Sequence, residues 1–247
     1  MARNFYSHKT IASQQQHDIK LELDVRCQKV IEARLRRDFP QFAVLGEEGI
    51  TGDTEAEFRW VVDPIDGTVN FTYQIPHACV SIALQQRRAR PGKTGEPYET
   101  IVGVVLDPFC KELWTAMRGG SARLNGKPIR ASRRTRLAEA VVAIGFSKDK
   151  EMLDAMLPSF NQLVYRIRKI RIMGAAALAM VYVASGRFDA YVEAGVRLWD
   201  IAAGGLILEC AEGEFWRRPI DGEHRYQINA NNGRLRKKIE QVISGEK

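Results

Sequence analysis

The sequence is poor in cysteine, with four in 247 residues: Cys27, Cys79, Cys110 and Cys210. None forms a C-x-x-C pair and no spacing suits a zinc site, which excludes a zinc module or a disulfide scaffold. They read as reduced core or surface thiols. No apolar run is long enough to span a bilayer. The opening residues, MARNFYSHKTIASQQQHD, lack the apolar stretch of a signal peptide. The expectation is a cytoplasmic protein with no membrane partner. Internal repeats and low-complexity segments are also missing, as are aromatic-rich RNA motifs and zinc-finger patterns.

What remains is an ordinary globular composition, 45% hydrophobic and 27% charged. The length suits one large domain or two lobes and can bury a sizeable core without staples. The formal charge is +7. It comes from short clusters: Arg87, Arg88 and Arg90; Arg133, Arg134 and Arg136; Arg166, Arg168, Lys169 and Arg171; Arg236, Lys237 and Lys238. Such a surface attracts anionic substrates and, less specifically, nucleic acid.

Residues 18–39 predict a short extended entry and then a helix ended by Pro40, with Val25, Val30, Ile31, Ala33 and Leu35 as its apolar stripe. FAVLGEEG predicts a strand running into an acidic loop. FRWVVD predicts a strand stopped by Pro64, and CVSIAL, IVGVVLDP, ELWTAM, AVVAIGF and FDAYVEAG predict further strands. Residues 86–99 predict a loop or hairpin connection, and Asn125-Gly126 a tight turn. KEMLDAMLPSFNQLVYRI predicts a helix broken or kinked at Pro158. GAAALAMVYVAS and DIAAGGLILECAEG predict two small-residue helices, and RLRKKIEQVI a terminal amphipathic one. Strands often follow strands, so an α+β layered fold is expected rather than a Rossmann fold. The polar stretch 130–137 is the expected seam between lobes 1–136 and 137–247.

Three segments place carboxylates at the ends of elements: Gly46-Glu47-Glu48-Gly49, Asp63-Pro64-Ile65-Asp66-Gly67-Thr68, and Trp199-Asp200. In the middle one, Pro64 forces a turn that can aim Asp66 back at the spot faced by Asp63. The Ile65 carbonyl is a further oxygen donor. The Gly67 and Thr68 amides could open a helix and hold phosphate oxygens. Hard oxygens of this kind suit Mg²⁺. Each segment also has a plain reading: an Asp-Pro turn, a solvated acidic pair, an Asp200 helix cap, and Trp199 as a core anchor. Carboxylates clustered without a cation would repel and raise one another's pKa values, a cost that a divalent ion removes.

GEEG, WVVDPIDGTVNF and LWDIAAGGLI resemble the signature segments of the inositol monophosphatase family, in order and in spacing. The likeness runs from about Asp18 to the C-terminus. The resemblance implies an αβαβα sandwich, usually a homodimer, with two to three Mg²⁺ ions and sensitivity to lithium. It implies that Glu47, Asp63 and the Ile65 carbonyl bind one metal and that Asp63, Asp66 and Asp200 bind a second, with Glu47 supporting a third. Catalytic roles fall by resemblance to Glu47, Asp63 and Thr68, the last orienting the attacking water with Glu47. Gly67 and Thr68 would hold the phosphate. Glu193 would bond substrate hydroxyls, with Gly174, Ala175, Ala176 and Asp200 on the polyol side. Ala175 stands where many relatives carry a hydroxyl, which leaves substrate preference open. The family has a full helix before the segment containing Lys9, and few residues precede it here. Either that helix is lost or the chain starts further upstream. No role is carried over to Lys9.

The activity so implied is Mg²⁺-dependent hydrolysis of a small phosphate monoester, an inositol or related polyol or sugar phosphate, by metal-activated water without a phosphoenzyme. A lone general base contributes only about 10²–10⁴-fold, far below the ~10²¹-fold that monoester hydrolysis can demand. Other phosphatases of the superfamily remain open, acting on fructose bisphosphate, histidinol phosphate or 3′-phosphoadenosine phosphate. The Asp63–Asp66 spacing excludes the D-x-D motif of haloacid-dehalogenase-type phosphatases. A bacterial relative serving transcription and ribosome assembly keeps an RNA or RNA polymerase partner open.

Overall fold

The computed structural model describes residues 11–15, 18–90, 96–146 and 149–244. Lys9 lies outside them. β1 (Ile11–Gln15) pairs antiparallel with β2 (Asp18–Leu21), and α1 (Glu22–Asp38) follows. An eight-stranded sheet is built from β3 (Ala43–Gly46), β4 (Gly49–Thr51), β5 (Phe58–Asp66), β6 (Cys79–Arg87), β7 (Tyr98–Asp107), β8 (Glu112–Met117), β9 (Arg123–Leu124) and β10 (Lys127–Pro128). Its order is β10-β9-β8-β7-β6-β5-β3-β4, antiparallel except for the β3–β5 pair. The short α2 (Thr68–Thr72) leaves the end of β5.

A second sheet, ordered β12-β11-β13-β15-β14, contains β11 (Val141–Ile144), β12 (Lys169–Arg171), β13 (Ala190–Arg197), β14 (Glu214–Pro219) and β15 (Arg225–Asn231). Between its strands run α3 (Lys150–Val164), α4 (Ala176–Ala184) and α5 (Leu198–Cys210), and α6 (Arg236–Ser244) closes the chain. Alternation along the strands separates two cores. Ala143, Tyr191 and Ile228 join the core shared with Val61, Ala83 and Trp114 of the first sheet, and α4 and α5 fill the space between. Val142, Ile144 and Val192 face the other way, onto Met156 and Leu163 of α3 and Ile239 of α6. With α1 and α2 packed on the first sheet, the layers run helix, sheet, helix, sheet, helix.

α4 and α5 are apolar on all sides, as helices enclosed between sheets must be. Their alanines and glycines permit close approach. A side chain on Gly103 of β7 would meet the Ala203 carbonyl oxygen of α5 at 2.7 Å, so the helix rests directly on the strand backbone.

Several sequence expectations change. β5 does not stop at Pro64 but runs on to Asp66, because the ladder to β6 is irregular between Asp63 and Asp66 and no amide is needed there. α3 runs unbroken through Pro158, which lies on its exposed side, where water can serve the orphaned carbonyl. The apolar stripe assigned to α1 holds only in part: Val25, Ile31 and Leu35 are half-buried, but Ala33 is exposed and Val30 is 71% exposed, while Asp24 and Gln28 are buried. β4, β12, β14 and β15 had no assigned strands in the sequence reading; all but β15 are short or half-exposed.

The stretch at 130–136 is held by the second sheet. Buried Asp189 accepts from the Ser132 hydroxyl, from Arg134 Nη1 at 3.1 Å and from the Val141 amide at 2.8 Å. Asn232 Nδ2 donates to Ser132 Oγ and to the Arg134 carbonyl, both at 2.9 Å. No described helix is long and apolar enough to cross a membrane.

Candidate active site

The end of β5 delivers the first carboxylates. Asp63 is 2% exposed, and its Oδ1 accepts from the Ile65 amide at 3.0 Å, so the side chain folds over the turn that follows it. Asp66 reaches across to the second half of the chain. Its Oδ1 accepts from the Ala176 amide at 3.1 Å and its Oδ2 from the Ala177 amide at 2.7 Å. Asp66 is thus the cap of α4, meeting the positive end of a helix that carries no capping side chain of its own. The Cys79 thiol also donates to Oδ2, at 3.5 Å.

Asp200 stands in the first turn of α5, and its Oδ2 accepts from the Arg197 amide at 2.7 Å. The capping role weighed for Asp200 is thus corrected in position: α5 begins at Leu198 with Arg197 as its N-cap, and Asp200 is the third helical residue, bonding back to the cap amide while lining the site cavity. Ser81 explains how Asp200 comes near Asp63. It lies opposite Asp63 in the β5–β6 ladder, and its hydroxyl donates to the Trp199 carbonyl at 3.1 Å. Sequence reasoning missed Ser81, whose only signal was a lone hydroxyl inside the apolar CVSIAL.

Glu47 follows β3, with its amide donating to the Val62 carbonyl at 3.1 Å. The turn is braced by Gln28 of α1, which accepts from the Glu48 amide at 2.9 Å and donates to the Gly49 carbonyl at 3.3 Å. Gln28 was also missed; a polar residue on the inner face of an amphipathic helix was the available signal.

Gly67 takes φ 88°, a left-handed conformation that glycine adopts readily. A side chain there would press on the His77 carbonyl oxygen at 2.9 Å. Thr68 opens α2, and its hydroxyl donates to the Ile65 carbonyl at 3.0 Å, so that carbonyl is shared and keeps one lone pair for another partner. Asn70 Nδ2 donates to the Met173 carbonyl at 2.8 Å and the His77 carbonyl at 3.0 Å, tying α2 to the Gly174 segment. This third missed residue sat within the acidic motif.

Asp66, Gly174, Ala175, Ala176, Glu193 and Asp200 line one cavity of about 280 Å³. Gly67 abuts it, since a side chain there would lie 3.2 Å from Ala175 Cβ. Asp63 and Glu47 bear on it electrostatically. Burial, then Glu47, Asp66 and Asp200, push the Asp63 carboxyl well above the usual range. Burial, then Asp66 and Glu47, do the same to Asp200. Burial raises Asp66 to about 6 against the amides that lower it, and raises Glu193 to about 7 against the Tyr191 hydroxyl.

Among the described residues no three acidic, histidine or cysteine side chains close into a finished metal cage. Asp63, Asp66 and Asp200 are turned onto backbone amides. Their chemistry fits a divalent ion all the same. The donors are hard oxygens, deeply buried, and the charges acting most strongly on Asp63 and Asp200 are other carboxylates. A larger cavity, about 340 Å³, lies near Arg88, Glu99, Arg118, Glu209 and Trp216 and has no such set. Arg88 and Arg118 there are spent on ion pairs with Glu99 and Glu209.

A family model described as the inositol monophosphatase family matches residues 2–243. A protein of Xylella fastidiosa named Nus factor SuhB is 37% identical over 92% of this chain and 82% of its own length. Inositol monophosphatase 2 of Solanum lycopersicum is 37% identical over 83% of this chain and 76% of its own. Among solved structures, the extragenic suppressor protein suhB of Bartonella henselae superposes with a TM-score of 0.88 at 30% identity, covering 100% of this chain and 93% of that one. An inositol monophosphatase from Anabaena gives 0.80 at 32% identity, covering 90% and 86%.

Proposed function

The chain belongs to the inositol monophosphatase family, and from that premise we propose that it hydrolyses phosphate monoesters of small polyols with Mg²⁺, inositol monophosphate being the first candidate. The observation that carries this reading is the mutual influence of Asp63, Asp66, Asp200 and Glu47, drawn from three distant segments, beside a cavity lined by Asp66, Glu193 and Asp200.

Two to three ions would be held by Glu47, Asp63, the Ile65 carbonyl, Asp66 and Asp200. When bound, Mg²⁺ supplies Lewis-acid chemistry, acidifying water and offsetting phosphoryl and leaving-group charge. The protein supplies the geometry. The Thr68 hydroxyl donates its hydrogen bond to the Ile65 carbonyl, so its oxygen is left to accept a hydrogen bond from the attacking water. Glu47 takes the other hydrogen. The Gly67 and Thr68 amides hold the phosphate, while Gly174, Ala175, Ala176, Glu193 and Asp200 face the alcohol portion.

Phosphate release from a panel of inositol, sugar and nucleotide phosphates, with and without Mg²⁺, tests the reading. Release only with Mg²⁺, favouring polyol monophosphates and suppressed by Li⁺, is expected. No release from any ester overturns it, and preference for a bisphosphate or nucleotide moves the chain to another activity of the superfamily. We also propose a homodimer, readable by light scattering, and lobes 1–136 and 137–247; the change of sheet between Pro128 and Val141 supports that division.

A second reading has one observation behind it: several relatives are named Nus factor SuhB. A transcription-associated role would use the basic surface. Salt-dependent co-purification of RNA or RNA polymerase tests it, and a clean preparation at low salt removes it.

A further inference from the structure

Tyr191 and Glu193 lie two residues apart on β13, so their side chains leave the same face of the strand. That face lines the cavity beside Asp66 and Asp200. The Tyr191 hydroxyl donates to Oε2 of Glu193. Tyr191 is only 3% exposed and packs in the core between the sheets, so its ring is not free to follow a wandering carboxyl. A second restraint is steric. Gly145, just past β11, donates its amide to the Val192 carbonyl at 3.1 Å, and a methyl group built on it would overlap the Glu193 carboxyl. The carboxyl is therefore gripped by a hydroxyl and packed against bare backbone.

We propose that Tyr191 is a positioning residue: it fixes the orientation of Glu193 so that the remaining carboxyl oxygen, Oε1, meets the hydroxyls of the substrate, and it thereby sets the preference for hydroxylated over plain phosphate esters. This rests on the phosphatase reading and on Glu193 as the acceptor of substrate hydroxyls. A glutamate side chain left free samples several rotamers, and ordering it on binding weakens every hydrogen bond it makes. Holding it beforehand removes that cost for a substrate with hydroxyls and does nothing for one without.

Specificity constants for inositol 1-phosphate and for phenyl phosphate, measured with Mg²⁺, test this. Phenyl phosphate has no hydroxyl on its alcohol portion. Tyr191→Phe should lower the ratio of the two constants about tenfold, the scale of one hydrogen bond to a charged group, with the loss in KM rather than kcat. In a Glu193→Ala background the same substitution should change the ratio less than about twofold, because alanine leaves Tyr191 no acceptor to orient. Equal losses on both esters, or full additivity with Glu193→Ala, overturn the proposal. Should Tyr191→Phe fail to fold, Gly145→Ala displaces the same carboxyl from the other side and should show the same selective loss; an unchanged ratio in Gly145→Ala overturns the proposal. A wild-type protein that releases phosphate from neither ester overturns the phosphatase reading itself, and the inference with it.

Discussion

Single side chains at this site do two things at once. Asp66 caps α4 and faces the cavity, and Asp200 turns the start of α5 while repelling Asp66. Asp63 and Asp200 each accept a backbone amide through one oxygen only, so replacing either by its amide keeps that bond and the shape and removes the charge. Asp63→Asn and Asp200→Asn are each expected to lower phosphate release by about 10³-fold or more with the far-ultraviolet circular dichroism unchanged. A fully active Asp200→Asn protein sinks the assignment of that residue. Gln28 acts further out. Its loss leaves the Glu48 amide without its side-chain acceptor and an opening beneath Gly46. Gln28→Ala should therefore cost about 1–3 kcal/mol in urea unfolding and raise the Mg²⁺ concentration needed for half-maximal activity. Gln28, Ser81 and Asn70 were not legible as functional because each works through a backbone group. A partner that any residue could supply leaves no pattern in the sequence.

At the scale of elements, most boundaries followed from periodicity and punctuation, and the failures have physical causes. Pro64 and Pro158 are strong stop signals, yet each sits where a missing amide goes unneeded or faces solvent. The stripe on α1 misled in part because that helix buries Asp24 and Gln28, the latter against the acidic turn, rather than a purely apolar face. The two small-residue helices were read correctly, and the reason for their composition appears only in the packing of α5 on Gly103. Gly103→Val is expected to destabilise the protein by about 3 kcal/mol or more, read from its urea midpoint, since the obstacle is backbone and cannot rotate away. A loss below about 0.5 kcal/mol would mean that α5 can shift without consequence.

For the molecule as a whole, the buried carboxylates are a liability that a bound cation would relieve. Asp66 moves from an ordinary 3.8 to about 6 in the folded state, and Glu193 from 4.5 to about 7. An acid whose pKa rises on folding stabilises the fold while protonated, and that stability is lost as pH climbs through the folded pKa. The chelated protein should therefore lose thermal stability between about pH 4 and pH 7.5, by about 5 °C or more. Added Mg²⁺ should flatten the profile and raise Tm at neutral pH. A flat profile in the presence of chelator would mean that the carboxylates find water or partners that relieve them. The net charge of +7 acts at this scale too, although Arg87, Arg134 and Arg236 are each committed to a neighbouring acid, so less of the surface is free to attract anions than the count suggests.

By itself the sequence determined the family, the layered α+β architecture and the three acidic segments, because these are carried by residue types at short spacing along the chain. Hydrophobic period, turn residues and a DPIDGT motif are local properties and survive without coordinates. Only the tertiary structure decided that Asp66 holds the start of α4, that Ser81 ties the Asp200 turn to β6, and that Tyr191 grips Glu193 over Gly145. Most of these contacts join residues distant in the chain, and the nearer Tyr191–Glu193 pair depends on how β11 packs beside β13. Their energy depends on burial and direction, quantities that do not exist until the layers close.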